Sequence, residues 1–108
     1  MNVEHYVTES GYDPFQDWFN NLRNRQAKAK ILQRIVRASL GNFGDHKFCR
    51  DGVSEMRINI GPGYRIYYFQ HGMTMVVLLC GGNKSTQDDD ISEAVSYRDN
   101  YLSRITKE

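Results

Sequence analysis

Residues 54–70 read SEMRINI-GPG-YRIYYFQ, two runs of alternating side chains joined by a glycine–proline–glycine turn. The alternation predicts a β-hairpin, because successive side chains of a strand point to opposite faces of a sheet. A three-residue loop at 61–63 would pair Ile60 with Tyr64 and Ile58 with Ile66. The predicted hairpin therefore has one apolar face and one face of polar and charged side chains.

The polar face of this hairpin is the first candidate for function. The same register pairs Arg57 with Tyr67 and Asn59 with Arg65, so the four side chains converge. Guanidinium groups suit phosphate oxygens, and a phenol can donate or accept a hydrogen bond. We interpret the face either as a phosphate-binding floor or as an ordinary solvated sheet face on which Glu55 pairs with an arginine.

Further strands and three helices are predicted around the hairpin. Alternating or apolar runs at 3–8, 46–50 and 74–80 indicate three further strands. The runs at 46–50 and 74–80 form an antiparallel meander with the two strands of the hairpin, with turn signals between the four strands. Asp13 followed by Pro14 predicts the start of a first helix, and Asn24 the start of a second that runs to about Leu40. Because the link between these helices is short, they should form an antiparallel hairpin.

The last segment predicts a C-terminal helix. Ser85 or Thr86 can cap it, and the acids 88–90 suit the positive end of its dipole. An apolar stripe follows at Ile91, Ala94, Val95, Leu102 and Ile105. The fold class is therefore α+β: an N-terminal helical hairpin packed on an antiparallel sheet, with a C-terminal helix.

Composition sets limits on the class of protein. The 108 residues fit one domain, 1–108, with 40% apolar and 25% charged residues, as in ordinary globular proteins. The N-terminus does not resemble a signal peptide and no run is long enough to span a membrane, so we expect a cytoplasmic protein. Cys49 and Cys80 lack metal-ligand spacing and are interpreted as reduced structural thiols.

Basic residues are concentrated in the first half of the chain. Eight of the 14 lysines and arginines fall between Arg23 and Arg50, where Asp45 is the only acid. This region is either a solvated helix face or a surface that contacts a polyanion. The candidate RNA-binding residues are Arg34, Arg37, Lys47, Arg50 and Asn59.

Two more residues are candidates for chemistry. Lys84 follows a strand and a Gly81–Gly82 break, where a closely packed backbone could bring it to the edge of the polar face. His46 adjoins Lys47 and is the one histidine in a credible catalytic position. No zinc-protease, nucleotide-binding or serine-hydrolase motif is present, so no metal or cofactor is expected.

The run GNFGDHKFCRDGVSEMRINIGPGYRIYYFQHG at 41–72, with VVLLCGGNKSTQDDDISEA at 76–94, closely resembles the addiction-module killer proteins, HigB-like toxins of the RelE/ParE superfamily. The resemblance implies the α+β fold described above. It also implies cleavage of mRNA in the ribosomal A site by a toxin that a cognate antitoxin, a helix-turn-helix DNA-binding protein, holds inactive.

The resemblance also implies site residues. Arg65 matches the arginine of the family's YR motif, and Lys84 matches the basic position after the last strand. Arg57 and Lys47 match basic positions of the preceding strands. Gln87 and the acids beside it occupy the place where some relatives carry a catalytic tyrosine or histidine. The general base is then Tyr67 or His46, or the ribosome and the positioned RNA do much of that work.

Two alternatives to a metal-independent ribonuclease remain from the same superfamily. ParE-like members poison DNA gyrase and lack the basic catalytic set. A non-catalytic module could instead occupy ribosomes or co-repress its operon with a DNA-binding partner. Under both alternatives, Arg57, Arg65 and Lys84 would be dispensable.

Overall fold

A five-stranded mixed sheet lies at the centre of the computed structural model, which describes residues 1–106. The strands are β1 (Asn2–His5), β2 (His46–Arg50), β3 (Val53–Ile58), β4 (Tyr64–His71) and β5 (Met75–Asn83). Their order across the sheet is β1-β5-β4-β3-β2. Strands β2 to β5 form the predicted antiparallel meander, but β1 pairs with β5 in parallel, so the expectation of a purely antiparallel sheet was wrong. The first strand also ends at His5 rather than at residue 8.

Three helices flank the sheet: α1 (Pro14–Asn20), α2 (Arg25–Ser39) and α3 (Gln87–Thr106). The predicted caps of the first two are confirmed, since Asp13 accepts a hydrogen bond from the Gln16 amide and Asn24 accepts one from the Ala27 amide. Before α3, a 3-10 turn spans Lys84–Thr86, and its cap is Asn83 rather than Ser85 or Thr86. The Asn83 side chain accepts a hydrogen bond from the Ser85 amide at 2.9 Å, so the helical turn begins two residues earlier than a cap at Ser85 would place it.

Both faces of the sheet carry an apolar core. On one face, Met56, Ile66 and Tyr68 pack with Phe15 of α1 and Ile31 of α2. On the other face, a second core packs against Ala94 of α3 and contains Tyr6, Val53, Tyr67, Phe69, Val77 and Leu79. The polar face predicted to be open is therefore largely covered by α3. Ile105, predicted in the apolar stripe of that helix, is exposed.

Two adjacent glycines of β5 allow helices to approach the sheet closely from both sides. A Cβ atom on Gly81 would overlap the Trp18 ring of α1, and one on Gly82 would overlap the Asp90 carboxylate of α3. A register shift just before them places Leu79 and Cys80 together on the α3 side. Because these two positions have no side chain, α1 and α3 pack directly against the end of β5, and Lys84 follows at the edge of the sheet. Among residues 1–106, no helix has both the length and the apolar character needed to cross a membrane.

Candidate active site

The β2, β3 and β4 strands bring four of the functional candidates, together with Glu55, onto the face that α3 partly covers. Lys47 pairs with Glu55, Glu55 with Tyr67, and Arg57 with Arg65. Residues directly opposite one another in neighbouring strands share a face. The predicted clustering of Arg57, Arg65 and Tyr67 on one face is therefore confirmed.

The predicted register of the hairpin was wrong by two residues. Ile58, not Ile60, pairs next to the loop with Tyr64, so the connection holds the five residues 59–63. Ile60 is used in a β-turn, in which its carbonyl accepts a hydrogen bond from the Gly63 amide at 3.0 Å. Because a shift of two residues preserves the alternation of faces, Arg57, Arg65 and Tyr67 still share one face. The predicted pairing of Asn59 with Arg65 was wrong, since Asn59 lies in the loop.

The register places two guanidinium groups side by side. Like charges directly opposite each other destabilise a pair of strands unless counter-charges lie nearby. Two carboxylates meet this need. Arg57 donates to Asp45 Oδ1 from Nε and Nη2, at 3.2 and 2.9 Å, and Arg65 donates from Nε to Glu55 Oε2 at 3.1 Å.

Glu55 is the centre of the site, although its side chain is only 1% exposed. Its Oε1 accepts hydrogen bonds from Gln87 Nε2 at 2.8 Å and from the Cys49 thiol at 3.3 Å. Its Oε2 accepts from Arg65, and Arg57 Nε lies 4.0 Å away. We call these five residues (Cys49, Glu55, Arg57, Arg65 and Gln87) the Glu55 cluster.

The Cys49 thiol and the Tyr67 phenol, which lie beside Glu55, stay protonated at neutral pH. Burial and the hydrogen bond to Glu55 raise the pKa of Cys49 to about 12, so the thiol acts as a donor. Burial also raises the pKa of Tyr67 well above its ordinary value. The Tyr67 side chain is fully buried, and its hydroxyl has no hydrogen-bond partner among the described residues. The prediction that Tyr67 lies on an open face was therefore wrong.

Lys84 and Arg65 lie close together because both contact the backbone carbonyl of Gly63. The Lys84 amide donates to the Gly63 carbonyl at 2.9 Å, and Arg65 Nη1 approaches the same oxygen at 3.4 Å. The Lys84 side chain is exposed. The expectation that the glycine pair brings Lys84 to the edge of the polar face is confirmed.

A cleft of about 400 Å³ opens between β2, β3 and the first turns of α3. Glu55 and Gln87 lie at its floor, while Lys47, Arg50 and Asp88 are exposed at its rim. Arg50 donates to Asp51 at 2.7 Å and to the Ser92 hydroxyl at 3.0 Å, so it joins β2 to α3. The cleft thus leads from an exposed rim of two cations and one acid to Glu55 and Gln87 of the Glu55 cluster.

Other predicted site residues lie elsewhere. His46 pairs with Met56, which places it on the opposite face of the sheet from Arg65; its Nδ1 lies 2.8 Å from the Gly44 carbonyl. Its predicted catalytic position is therefore wrong in this fold. Arg34 donates to the carbonyls of Phe43, Asp45 and Arg57, so its guanidinium holds the loop before β2 instead of facing a ligand.

Arg37 and Asn59 line a second, smaller groove of about 270 Å³ between α2 and the end of β3. Asn59 Nδ2 lies 3.4 Å from Asp45 Oδ2, and Arg57 borders the same groove. Arg57 therefore connects the Glu55 cluster with this groove.

Sequence reasoning underestimated Glu55 and missed Cys49, Gln87 and Asp45 as parts of the site. A glutamate that alternates with Arg57 in the same strand was a usable signal, because a charge on a covered sheet face needs a partner. The aromatic side chains Tyr67 and Phe69, on the supposedly open face, were a second signal. They needed a covering element, and α3 supplies it.

Comparison with known proteins gives a family without an assigned activity. No protein-family model matches the chain. An uncharacterized protein of Haemophilus influenzae is 52% identical over 80 residues, which cover 74% of this chain and 81% of the relative. The chain belongs to the same family as this protein. Because the relative carries no functional description, the function is argued from the site.

Proposed function

We propose that this protein is a HigB-like toxin of the RelE/ParE superfamily that cleaves mRNA on the ribosome without a metal ion. In this proposal it acts in the cytoplasm and belongs to a type II toxin–antitoxin system. Its partners are the ribosome, the mRNA and a cognate antitoxin with a helix-turn-helix DNA-binding domain. The proposal includes the finer fold assignment, in which α1 and α2 form the helical hairpin of that superfamily.

One observation carries the proposal: Arg57 and Arg65 are held side by side around a buried carboxylate, with Lys47 and Lys84 nearby. Buried ion pairs such as Arg65–Glu55 often contribute little net stability, so a fold that needed only stability could hold apolar side chains there instead. Preorganised cations stabilise negative charge that develops in a transition state. A phosphate diester is an anion that suits Arg57, Arg65 and Lys84, because charge-assisted hydrogen bonds from guanidinium groups match phosphate oxygens.

The reaction that suits these groups is transesterification of RNA. The ribose 2′-oxygen forms a bond to the adjacent phosphorus, and the bond from phosphorus to the 5′-oxygen breaks. The products are a 2′,3′-cyclic phosphate and a 5′-hydroxyl, and the leaving oxygen takes up a proton. Arg57, Arg65 and Lys84 would neutralise the extra charge on the pentacoordinate phosphorus, and each oriented donor can contribute about 10²–10³ in rate.

Glu55 is a positioning residue in this account. Both of its oxygens already accept hydrogen bonds, and the side chain is nearly inaccessible, so it orients Arg65 and Gln87 instead of taking a proton from RNA. Tyr67 and His46 are excluded as bases by burial and by their position, respectively. The proton of the 2′-hydroxyl is therefore assigned to the ribosome and the positioned RNA, which makes cleavage dependent on the ribosome.

Pulse labelling after induction of the protein tests the proposal against the two alternatives. We expect incorporation of amino acids to stop before incorporation of thymidine. A fall in thymidine incorporation first, with cleaved gyrase–DNA complexes, would replace the proposal with a gyrase poison. Arrest of translation with intact mRNA would support a non-catalytic ribosome-binding module.

A further inference from the structure

Helix α2 carries an apolar stripe that the fold does not use. Leu32, Val36 and Leu40, the residue that ends the helix, are 52%, 59% and 80% exposed. They are spaced four residues apart, so they lie along one side of the helix. The core of the protein contacts the other side, through Ala27, Ile31 and Ala38. We call Ala29, Leu32, Val36 and Leu40 the α2 stripe.

Positive charge borders the α2 stripe on both edges. At 100° per residue, Lys28 lies along one edge, while Lys30 and Arg37 lie along the other. The Lys28 ammonium is 5.1 Å from the centre of the Phe19 ring, which holds it at that edge. Helix α2 contains five lysines and arginines and no acid. Its exposed side is thus an apolar strip between two basic borders.

We propose that the α2 stripe is the docking surface for an amphipathic helix of a partner protein, with apolar side chains on the stripe and acidic side chains opposite its basic borders. The stripe extends over eleven residue steps, about 17 Å, which matches about three turns of a partner helix. This mode of recognition joins burial of apolar surface with complementary charge. It does not depend on the RNA cleavage proposed above.

Charge excludes two other occupants of this surface. A second copy of the chain that docked through its own α2 would oppose basic borders to basic borders, and like charges across an interface cost several kcal/mol. A nucleic acid would satisfy the basic borders but leave the apolar side chains uncovered, since its affinity comes mainly from phosphate contacts. An acidic amphipathic helix satisfies both features.

Calorimetry with a designed peptide tests the proposal on the intact protein. The probe is a helical peptide of about 18 residues with leucines on one side and glutamates along both edges of that side. The control peptide has lysines in place of the glutamates. We expect the glutamate peptide to bind, with affinity that falls in about 0.5 M salt, and the lysine peptide not to bind. Equal affinity for the two peptides, or no binding of either, would overturn the proposal.

Two matched variants locate the binding. The double variant Leu32→Ser/Val36→Ser should weaken binding of the glutamate peptide at least tenfold. Met73→Ser, which removes an even more exposed apolar side chain in the turn between β4 and β5, should not change it. Circular dichroism melts confirm that each variant is folded, and Lys30→Glu/Arg37→Glu gives an independent test of the border.

Equal losses in the Leu32/Val36 and Met73 variants, or sedimentation showing a dimer that the double variant dissociates, would contradict the assigned occupant. Because ribosome-dependent cleavage is assayed without the peptide, failure here leaves the proposed function standing.

Discussion

Arg65 and Glu55 depend on each other for both stability and function. A carboxylate that is 1% exposed requires a nearby cation, and Arg65 is the side chain that donates to it directly. Removing one partner of a buried ion pair leaves an unpaired charge, at a cost of about 3 kcal/mol. An alanine at position 65 therefore changes stability as well as the active site, so it cannot separate the two effects.

Arg65→Lys separates these effects. The ammonium keeps a positive charge beside Glu55 but cannot present the planar fork that binds two phosphate oxygens. We expect growth inhibition to fall at least tenfold, with a thermal midpoint much nearer to wild type than that of Arg65→Ala. Growth assays beside thermal melts of both variants measure this. Full toxicity of Arg65→Lys would show that a bidentate contact to phosphate is not needed. Full toxicity of a folded Arg65→Ala variant would show that Arg65 is not part of the active site.

Lys84→Ala and Arg57→Ala test the exposed part of the site. The Lys84 side chain is exposed and Arg57 has a half-exposed salt bridge with Asp45, so neither change should lower stability by more than about 1 kcal/mol. We expect each to slow RNA cleavage by about 10²–10³. Arg23→Ala, an exposed arginine between α1 and α2, is the charge-matched control and should cleave as wild type does. Normal cleavage by both test variants would contradict the cationic transition-state model.

The helices and strands were largely predictable because local signals determine them. Caps at Asp13 and Asn24 and the alternation within β3 and β4 depend on neighbouring residues alone. Three features depend on distant contacts and could not be derived this way: the parallel pairing of β1, the loop at 59–63 and the cover that α3 gives to the polar face. The shared face of Arg57 and Arg65 was predictable from the alternation of side chains, whereas the burial of Tyr67 and the central place of Glu55 follow from that cover.

Gly81→Ala tests the close packing of α1 on β5. The added methyl group would overlap the Trp18 ring, so we expect a loss of about 1–3 kcal/mol from overpacking. Gly81 has an ordinary backbone conformation, so the cost does not arise from strain in φ. Gly11→Ala is the contrasting variant: it has open space around it but a φ of +89°, so any cost there arises from the backbone. Chemical denaturation measures both. An unchanged stability of Gly81→Ala would contradict the close approach.

The two cores make the molecule as a whole sensitive to alkaline pH. Burial raises the pKa of Tyr68 to about 12 and also raises that of Tyr67, so the folded protein keeps protons that the unfolded chain has lost above about pH 10. A state that binds more protons is favoured at lower pH, so stability is full below pH 10 and falls as the pH rises toward 12. Denaturation across this range should show a smaller loss for Tyr68→Phe than for wild type. A flat profile in wild type would show that these phenols are accessible in the folded state.

Cleavage of mRNA by the purified protein tests the central claim most directly. Wild type and Arg65→Lys are added to translating ribosomes and, separately, to the same mRNA free in solution, and the 5′ ends are mapped by primer extension. We predict new 5′ ends on ribosome-bound mRNA with wild type, 2′,3′-cyclic phosphate on the upstream fragments, little cleavage of free mRNA, and no change with EDTA at levels that spare the ribosome. Efficient cleavage of free mRNA, revival of a stripped enzyme by a divalent ion, or intact mRNA on stalled ribosomes would contradict the account.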